Sequence, residues 1–254
     1  PKITDQINIF NTKSPRSKYN LIFFFKSLLK DSPLSTSFRE ERPSPEIFAS
    51  NINKLYNVLI MIYKEQQFDI PALDGISEKQ IQVHLGLYAG YVKHVNLIRE
   101  KVEELKGDDY VVAELRRRFS FEFDGMRMHE YYFSAFEGGA KEVDQDSELV
   151  KALSEKYGSW DDFIEHFKAV GKSRGIGWTV LYWDPKARTP HVAWTSDHEL
   201  GTLSGLPILL AMDMWEHAFM VDYLPAEKGK YIDSFLNNVN WSFPEKMFNY
   251  SNSK

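Results

Sequence analysis

The sequence predicts an α+β protein: an all-helical half followed by an α/β half with a small antiparallel sheet. Three observations predict it. Apolar residues recur at three- and four-residue steps from about residue 44 to 136, broken by a loop at 68–75. The period drops to two in GWTVLYWD (177–184) and HVAWTS (191–196). It returns to helical spacing in YIDSFLNNVNW and FPEKMFNY near the end.

Each element has its own signals. SPEIFASNINKLYNVLIMIYKEQQ (44–67) has a cap residue, then proline, then glutamate, so a helix is expected there. FDIPALDG (68–75) carries a proline and a glycine and reads as a loop. Ser77 followed by Glu78 opens a helix over about 77–105, and KGDD (106–109) is a turn. Two more helices are expected over about 110–120 and 125–136. GGAKEVDQDSE (138–148) is the best break, separating a helical domain, 67–143, from an α/β domain, 144–254. Two short helices follow, the second started by Ser159 with Asp161 and Asp162 in its first turn. PKARTP joins the two strands, and GLPILLAMDMWEHAFMVDY (205–223) fits a buried strand running into a helix start.

Composition sets limits. With 254 residues, 43% apolar, the chain can build one large domain or two modest ones. It has no cysteine, which excludes disulfides, thiolate metal sites and cysteine nucleophiles. A reducing compartment fits, so an intracellular location, cytoplasmic or mitochondrial/organellar, is expected. No apolar run approaches the length of a membrane span. Residues 1–66 carry ten Lys/Arg against six Asp/Glu, net +4, so with a total of −5 the remainder carries −9. This basic, partly helical extension is rich in Ser, Pro and Lys around one apolar patch, LIFFF (21–25). It reads as an arm for a partner such as a nucleic acid, as a targeting remnant, or as cover for a core surface.

Four polar residues stand in apolar stretches: His84 in VHLGLYAGY, His129 in MRMHEYYF, and Asp213 and His217 in AMDMWEHAF. A buried carboxylate is costly unless paired or bound to a metal. Asp213 and His217 lie four apart and share one face if the stretch is helical. Three imidazoles and a carboxylate suit iron, manganese or zinc. Each histidine taken singly also reads as a hydrogen-bonded core residue.

DMWEHAF (213–219) resembles the C-terminal signature of the iron/manganese superoxide dismutases, aspartate–x–tryptophan–glutamate–histidine–alanine–aromatic. PALDGISEKQIQVH, GYVKHVN, RMHEYYF, GIGWTVLYWD and YIDSFLNNVNW resemble further segments of that family in the same order, covering about residues 67–250. The resemblance implies a helical hairpin joined to the α/β domain with the metal held between them. It implies one iron or manganese per chain on His84, His129, Asp213 and His217, with a solvent as fifth ligand. The expected substrate is superoxide, converted to dioxygen and hydrogen peroxide by a metal alternating between +3 and +2, a role zinc cannot fill. Tyr91 matches the gate tyrosine, and His198 the residue that hydrogen-bonds the metal solvent. Trp178, Trp215 and Phe133 match the aromatic box. His198 together with Gly125 points to iron as the preferred metal. Glu216 matches the residue that reaches the partner subunit's last ligand histidine, so a homodimer or higher homo-oligomer is expected.

The chain departs from that pattern in two places. His84 and Tyr91 are seven apart where eight is usual, which questions the register over Val83–Tyr88. Leu87/Tyr88 and Met220 stand where the family has an interface histidine and tyrosine. With the basic extension, this keeps a second reading open, a structural or moonlighting subunit of a larger assembly built on the same fold. A third is a non-redox metal hydrolase with Glu216 as general base.

Overall fold

Ser77 starts the first helix as its position suggests: its side chain accepts the Gln80 amide, and α1 runs Glu78–Glu104. The computed structural model describes residues 62–252. The expected helix over 44–67 therefore lies outside the described residues up to residue 61, as does most of the basic extension. Residues 62–67 are not helical. The Asn96 side chain takes both the amide and the carbonyl of Tyr63, at 2.9 Å each, and the Tyr88 hydroxyl accepts the Gln66 amide. Side chains of α1 thus satisfy the backbone groups that a helix would have paired internally.

The buried stripe of α1 is Gln80, Ile81, His84, Tyr88, Val92, Val95 and Ile98, at helical spacing. Asp108 caps α2, which runs unbroken over Asp109–Ser134 and packs on α1. Two separate helices were expected here. Gly125 does not end the helix, because one interior glycine costs only about 1 kcal/mol and α2 buries a long face. Helices α3 (Glu148–Tyr157) and α4 (Trp160–Gly171) follow the break, started by the Ser147 and Ser159 side chains.

Strands β1 (Gly177–Asp184), β2 (Thr189–Ser196) and β3 (Ile208–Asp213) form one antiparallel sheet in the order β2-β1-β3. The central strand β1 is buried almost throughout, which explains why GWTVLYWD is apolar on both faces. Its start pairs Gly177 with Ser196 and Trp178 with Asp213, so β1 carries the register of both neighbours to the end of β3. α2 packs against β3, and α3 and α4 against β2. Helices α5 (Lys228–Asn238) and α6 (Ser242–Asn252) close the described chain, α6 also packing on β3. No helix among the described residues is long and apolar enough to cross a membrane.

The segment after β3 departs from the helical expectation. The chain stays extended through Trp215 and then makes one 3₁₀ turn, Glu216–Ala218. Asp213 Oδ1 accepts the Trp215 amide at 2.8 Å, a local side-chain turn that competes with a helix start. Asp213 and His217 are therefore brought together by a strand end and a turn.

Candidate metal centre

Helix α1 supplies His84, α2 supplies His129, β3 ends on Asp213, and the 3₁₀ turn carries His217. One ligand atom from each lies within 4.8 Å of the others. His84, His129 and Asp213 are fully buried, and the His217 side chain is 20% exposed, so the group opens to solvent on one side. The register of α1 is plain: the helix is regular, Val83 is exposed and His84 is buried. Seven residues make about two helical turns, which puts His84 and Tyr91 on one stripe.

Hydrogen bonds fix the orientation of these groups. His129 Nδ1–H donates to the Gly125 carbonyl at 2.6 Å, so its Nε2 carries a lone pair. That Nε2 is buried, has no hydrogen-bond partner, and faces Asp213 Oδ2 at 3.6 Å. His84 Nε2 and His217 Nε2 converge on the same oxygen at 3.0 and 3.2 Å. A lone pair aimed at a carboxylate oxygen in a dry site calls for a cation between them, and three nitrogens with one oxygen fit a single iron or manganese. Burial holds both His84 and His129 below the usual imidazole range, His129 the further, because its neighbour His84 opposes a second charge. Neutral imidazole is the form that ligates. Burial works to raise the Asp213 carboxyl, but the electrostatic influence of His217 and the hydrogen bonds from His217 and His84 hold it well below the usual range.

Residues 145–247 match the family described as iron/manganese superoxide dismutases, C-terminal domain. The superoxide dismutase [Fe] of Sulfolobus acidocaldarius is 31% identical over 196 residues, 72% of this chain and 91% of the relative. The superoxide dismutase [Fe] of Cupriavidus metallidurans is 33% identical over 175 residues, 66% of this chain and 86% of the relative. The superoxide dismutase [Mn/Fe] of Aeropyrum pernix is 33% identical over 160 residues, 61% of this chain and 74% of the relative.

The chain belongs to the iron/manganese superoxide dismutase family. Its activity is the dismutation of superoxide at a mononuclear iron or manganese site formed by His84, His129, Asp213 and His217.

Around this dismutase centre the other anticipated residues fall as follows. Trp178 is fully buried on β1, and its Nε1–H donates to His198 Nδ1 at 3.0 Å. Because His198 Nδ1 accepts, its proton sits on Nε2 and donates to the Tyr91 hydroxyl oxygen at 2.7 Å. Burial holds His198 down at about 4, so the ring stays neutral, and burial pushes the Tyr91 hydroxyl above its usual range. Trp215 stacks between His198 and His217, with ring centroids 5.0 and 5.6 Å away, and Phe133 lies 5.0 Å from His84. Glu216 lies exposed on the 3₁₀ turn.

Two supporting residues were missed by sequence reasoning. Gln80, fully buried one turn before His84, donates to the His217 carbonyl at 2.6 Å and accepts the Val221 amide at 3.0 Å. It ties the turn carrying His217 to α1. Its i−4 position relative to His84 was the only signal. Tyr231 donates to the Asp213 carbonyl at 2.7 Å, a bond to backbone that leaves no trace in the sequence.

Gly125 has a specific reason to be glycine. A Cβ there would lie 2.7 Å from Tyr91 Cδ1 and 2.8 Å from Cε1. Gly125→Ala is expected to push the Tyr91 ring off His198 and lower turnover about tenfold or more, with metal content unchanged. Side-by-side metal analysis and rate measurement check this; an unaltered rate would mean the ring tolerates the shift.

Proposed function

We propose that this dismutase uses Tyr91 as its proton donor, with His198 and Trp178 as the residues that orient it. The observation carrying this is the directed chain from Trp178 Nε1–H to His198 and from His198 Nε2–H to Tyr91. Since the Tyr91 oxygen accepts from His198, its own hydrogen is free to point toward the four-residue centre. When bound, the redox metal supplies the electron exchange, alternating between its +3 and +2 states. The chain's part is to hold an ordered proton beside it, to pack the walls with Trp178, Trp215 and Phe133, and to exclude bulk water. Reduction of superoxide to hydrogen peroxide consumes two protons per peroxide, and the Tyr91 ring lies beside the ligand His129, with ring centroids 5.0 Å apart.

We read the metal as iron, with tolerance of manganese. His198 in place of an amide and the empty side-chain position at Gly125 support this, as do relatives named for iron or for both metals. A homodimer or larger homo-oligomer is supported by the Glu216 carboxylate, which is exposed beside exposed Met220 and Val221. The working division of the chain remains an extension over 1–66, a helical hairpin domain over 67–143 and an α/β domain over 144–254, with the extension serving assembly or localisation.

Variants of Tyr91 and His198 test the chain. Glutamine can accept from Trp178 and donate to Tyr91, so His198→Gln is expected to keep metal and shift the iron-to-manganese activity ratio. His198→Ala strands the buried Trp178 N–H, costing about 1–3 kcal/mol, and frees Tyr91. Tyr91→Phe is expected to keep metal while losing about tenfold or more in rate. If His198→Gln loses its metal, His198 is itself a ligand and the orienting role falls.

A further inference from the structure

Among the described side chains around the centre, Tyr91, Phe121, Trp215 and His217 are partly exposed. His84, His129, Asp213, His198, Trp178 and Phe133 are fully buried. The four therefore mark the mouth through which a substrate reaches the centre. Phe121 forms one wall, its ring 4.5 Å from His198 and 6.2 Å from Tyr91. One cation stands directly on that wall: the Arg118 guanidinium lies over the Phe121 ring at 3.5 Å from its centroid.

We propose that Arg118 is the docking residue that draws the superoxide anion to this mouth, an inference that rests on the dismutase activity of the centre. Its guanidinium is locked on two sides. Phe121 covers one face, and Arg118 Nε donates to Glu122 Oε1 at 2.9 Å. The Glu122 side chain is only 8% exposed, so the carboxylate that holds Arg118 is fixed in the helix packing. Its second oxygen has no hydrogen bond and faces His94 Nδ1 at 3.5 Å. Nε and one face are engaged, the side chain is 49% exposed, and the guanidinium charge also reaches Glu199, whose carboxyl it draws down against the effect of burial. A half-exposed guanidinium held rigid on two sides is a preorganised fork for a small anion, and it gives up little rotamer freedom on binding.

Charge elsewhere on the chain makes this cation matter. Residues 67–254 carry a net −9, and superoxide carries one negative charge, so the body of the protein repels its substrate. Superoxide dismutases are a standard example of enzymes working near the diffusional ceiling, where encounter sets kcat/KM and a local charge at the mouth is felt directly. Glu122 offsets part of the Arg118 charge, so the pair acts as an adjustable setting: removing the carboxylate charge strengthens the attraction, and removing the guanidinium abolishes it.

The experiment follows superoxide decay by stopped flow for the metal-loaded full chain and for Arg118→Gln, Arg118→Lys and Glu122→Gln, over ionic strengths from about 10 to 500 mM. At the low end Arg118→Gln is expected to lose about threefold in kcat/KM, Arg118→Lys to lose less, and Glu122→Gln to gain. The differences should close at the high end. A second reading uses tryptophan fluorescence: quenching by iodide, an anion, should weaken in Arg118→Gln at low salt, while quenching by neutral acrylamide should not change. A loss that persists at high salt, or iodide quenching equal in Arg118→Gln and the parent, overturns the docking role. If Arg118→Gln does not fold, the opposite shifts expected of Arg118→Lys and Glu122→Gln decide the matter. A metal-loaded parent chain that consumes no superoxide would overturn the dismutase reading instead, and the iodide comparison would still judge Arg118.

Discussion

Asp213→Asn is expected to leave the protein without bound iron or manganese and to lower superoxide consumption about a thousandfold or more, with the fold intact. Asp213 Oδ2 is the atom on which His84, His129 and His217 converge at 3.0, 3.6 and 3.2 Å. It is also the only negative charge among the four ligands. An amide in its place offers a neutral oxygen and, in the other rotamer, an N–H pointed at lone pairs. The Tyr231 bond goes to the Asp213 carbonyl, and backbone pairing with Trp178 does not use the side chain, so β3 should hold its place. Elemental analysis, far-ultraviolet circular dichroism and decay kinetics on the same preparation check all three parts. Retained metal at full occupancy would show that Asp213 is dispensable as a ligand.

Gly177→Ala should be the most damaging single methyl group in the described chain. Gly177 has φ of +142°, and a Cβ there would lie 2.1 Å from the Thr195 carbonyl oxygen and 3.0 Å from Ser196 Cα. Both are backbone atoms of the paired strand β2, so relief requires the sheet to open. A cost of about 3–5 kcal/mol is expected, a large share of the stability of a domain this size. The damage also reaches the metal site. The Gly177 carbonyl accepts the Met214 amide at 2.8 Å, and Trp178 pairs with Asp213, so the start of β1 positions the end of β3. Metal occupancy should therefore fall together with the denaturation midpoint. A variant with unchanged midpoint and occupancy would show that the strands slide past the added methyl.

How far the sequence alone carried can be judged residue by residue. His84, His129, Asp213 and His217 were legible because each is polar in an apolar stretch, and a buried ionisable group needs a reason. The register of His84 was not legible from the unusual spacing to Tyr91, and a regular helix with Val83 exposed supplies it. The continuity of α2 across Gly125 was hidden because the reason for that glycine is the Tyr91 ring on another helix. Residues 62–67 carry a helical pattern, but the Asn96 and Tyr88 side chains pair the backbone of Tyr63 and Gln66, and the segment is not helical. The path from Asp213 to His217 was ambiguous because a short apolar run fits strand and helix equally. Gln80 and Arg118 gave almost no signal, since their importance lies in partners that the fold brings to them.

The central claim is that one redox metal, held by four side chains of a single chain, consumes superoxide. The most direct measurement is the rate of superoxide decay against metal content, in protein reconstituted to graded occupancy with iron and separately with manganese, with His217→Ala alongside. The account predicts saturation at one metal per chain, a rate proportional to occupancy, and neither metal nor activity in His217→Ala. Full occupancy without superoxide consumption, or undiminished consumption by metal-free His217→Ala protein, would contradict it.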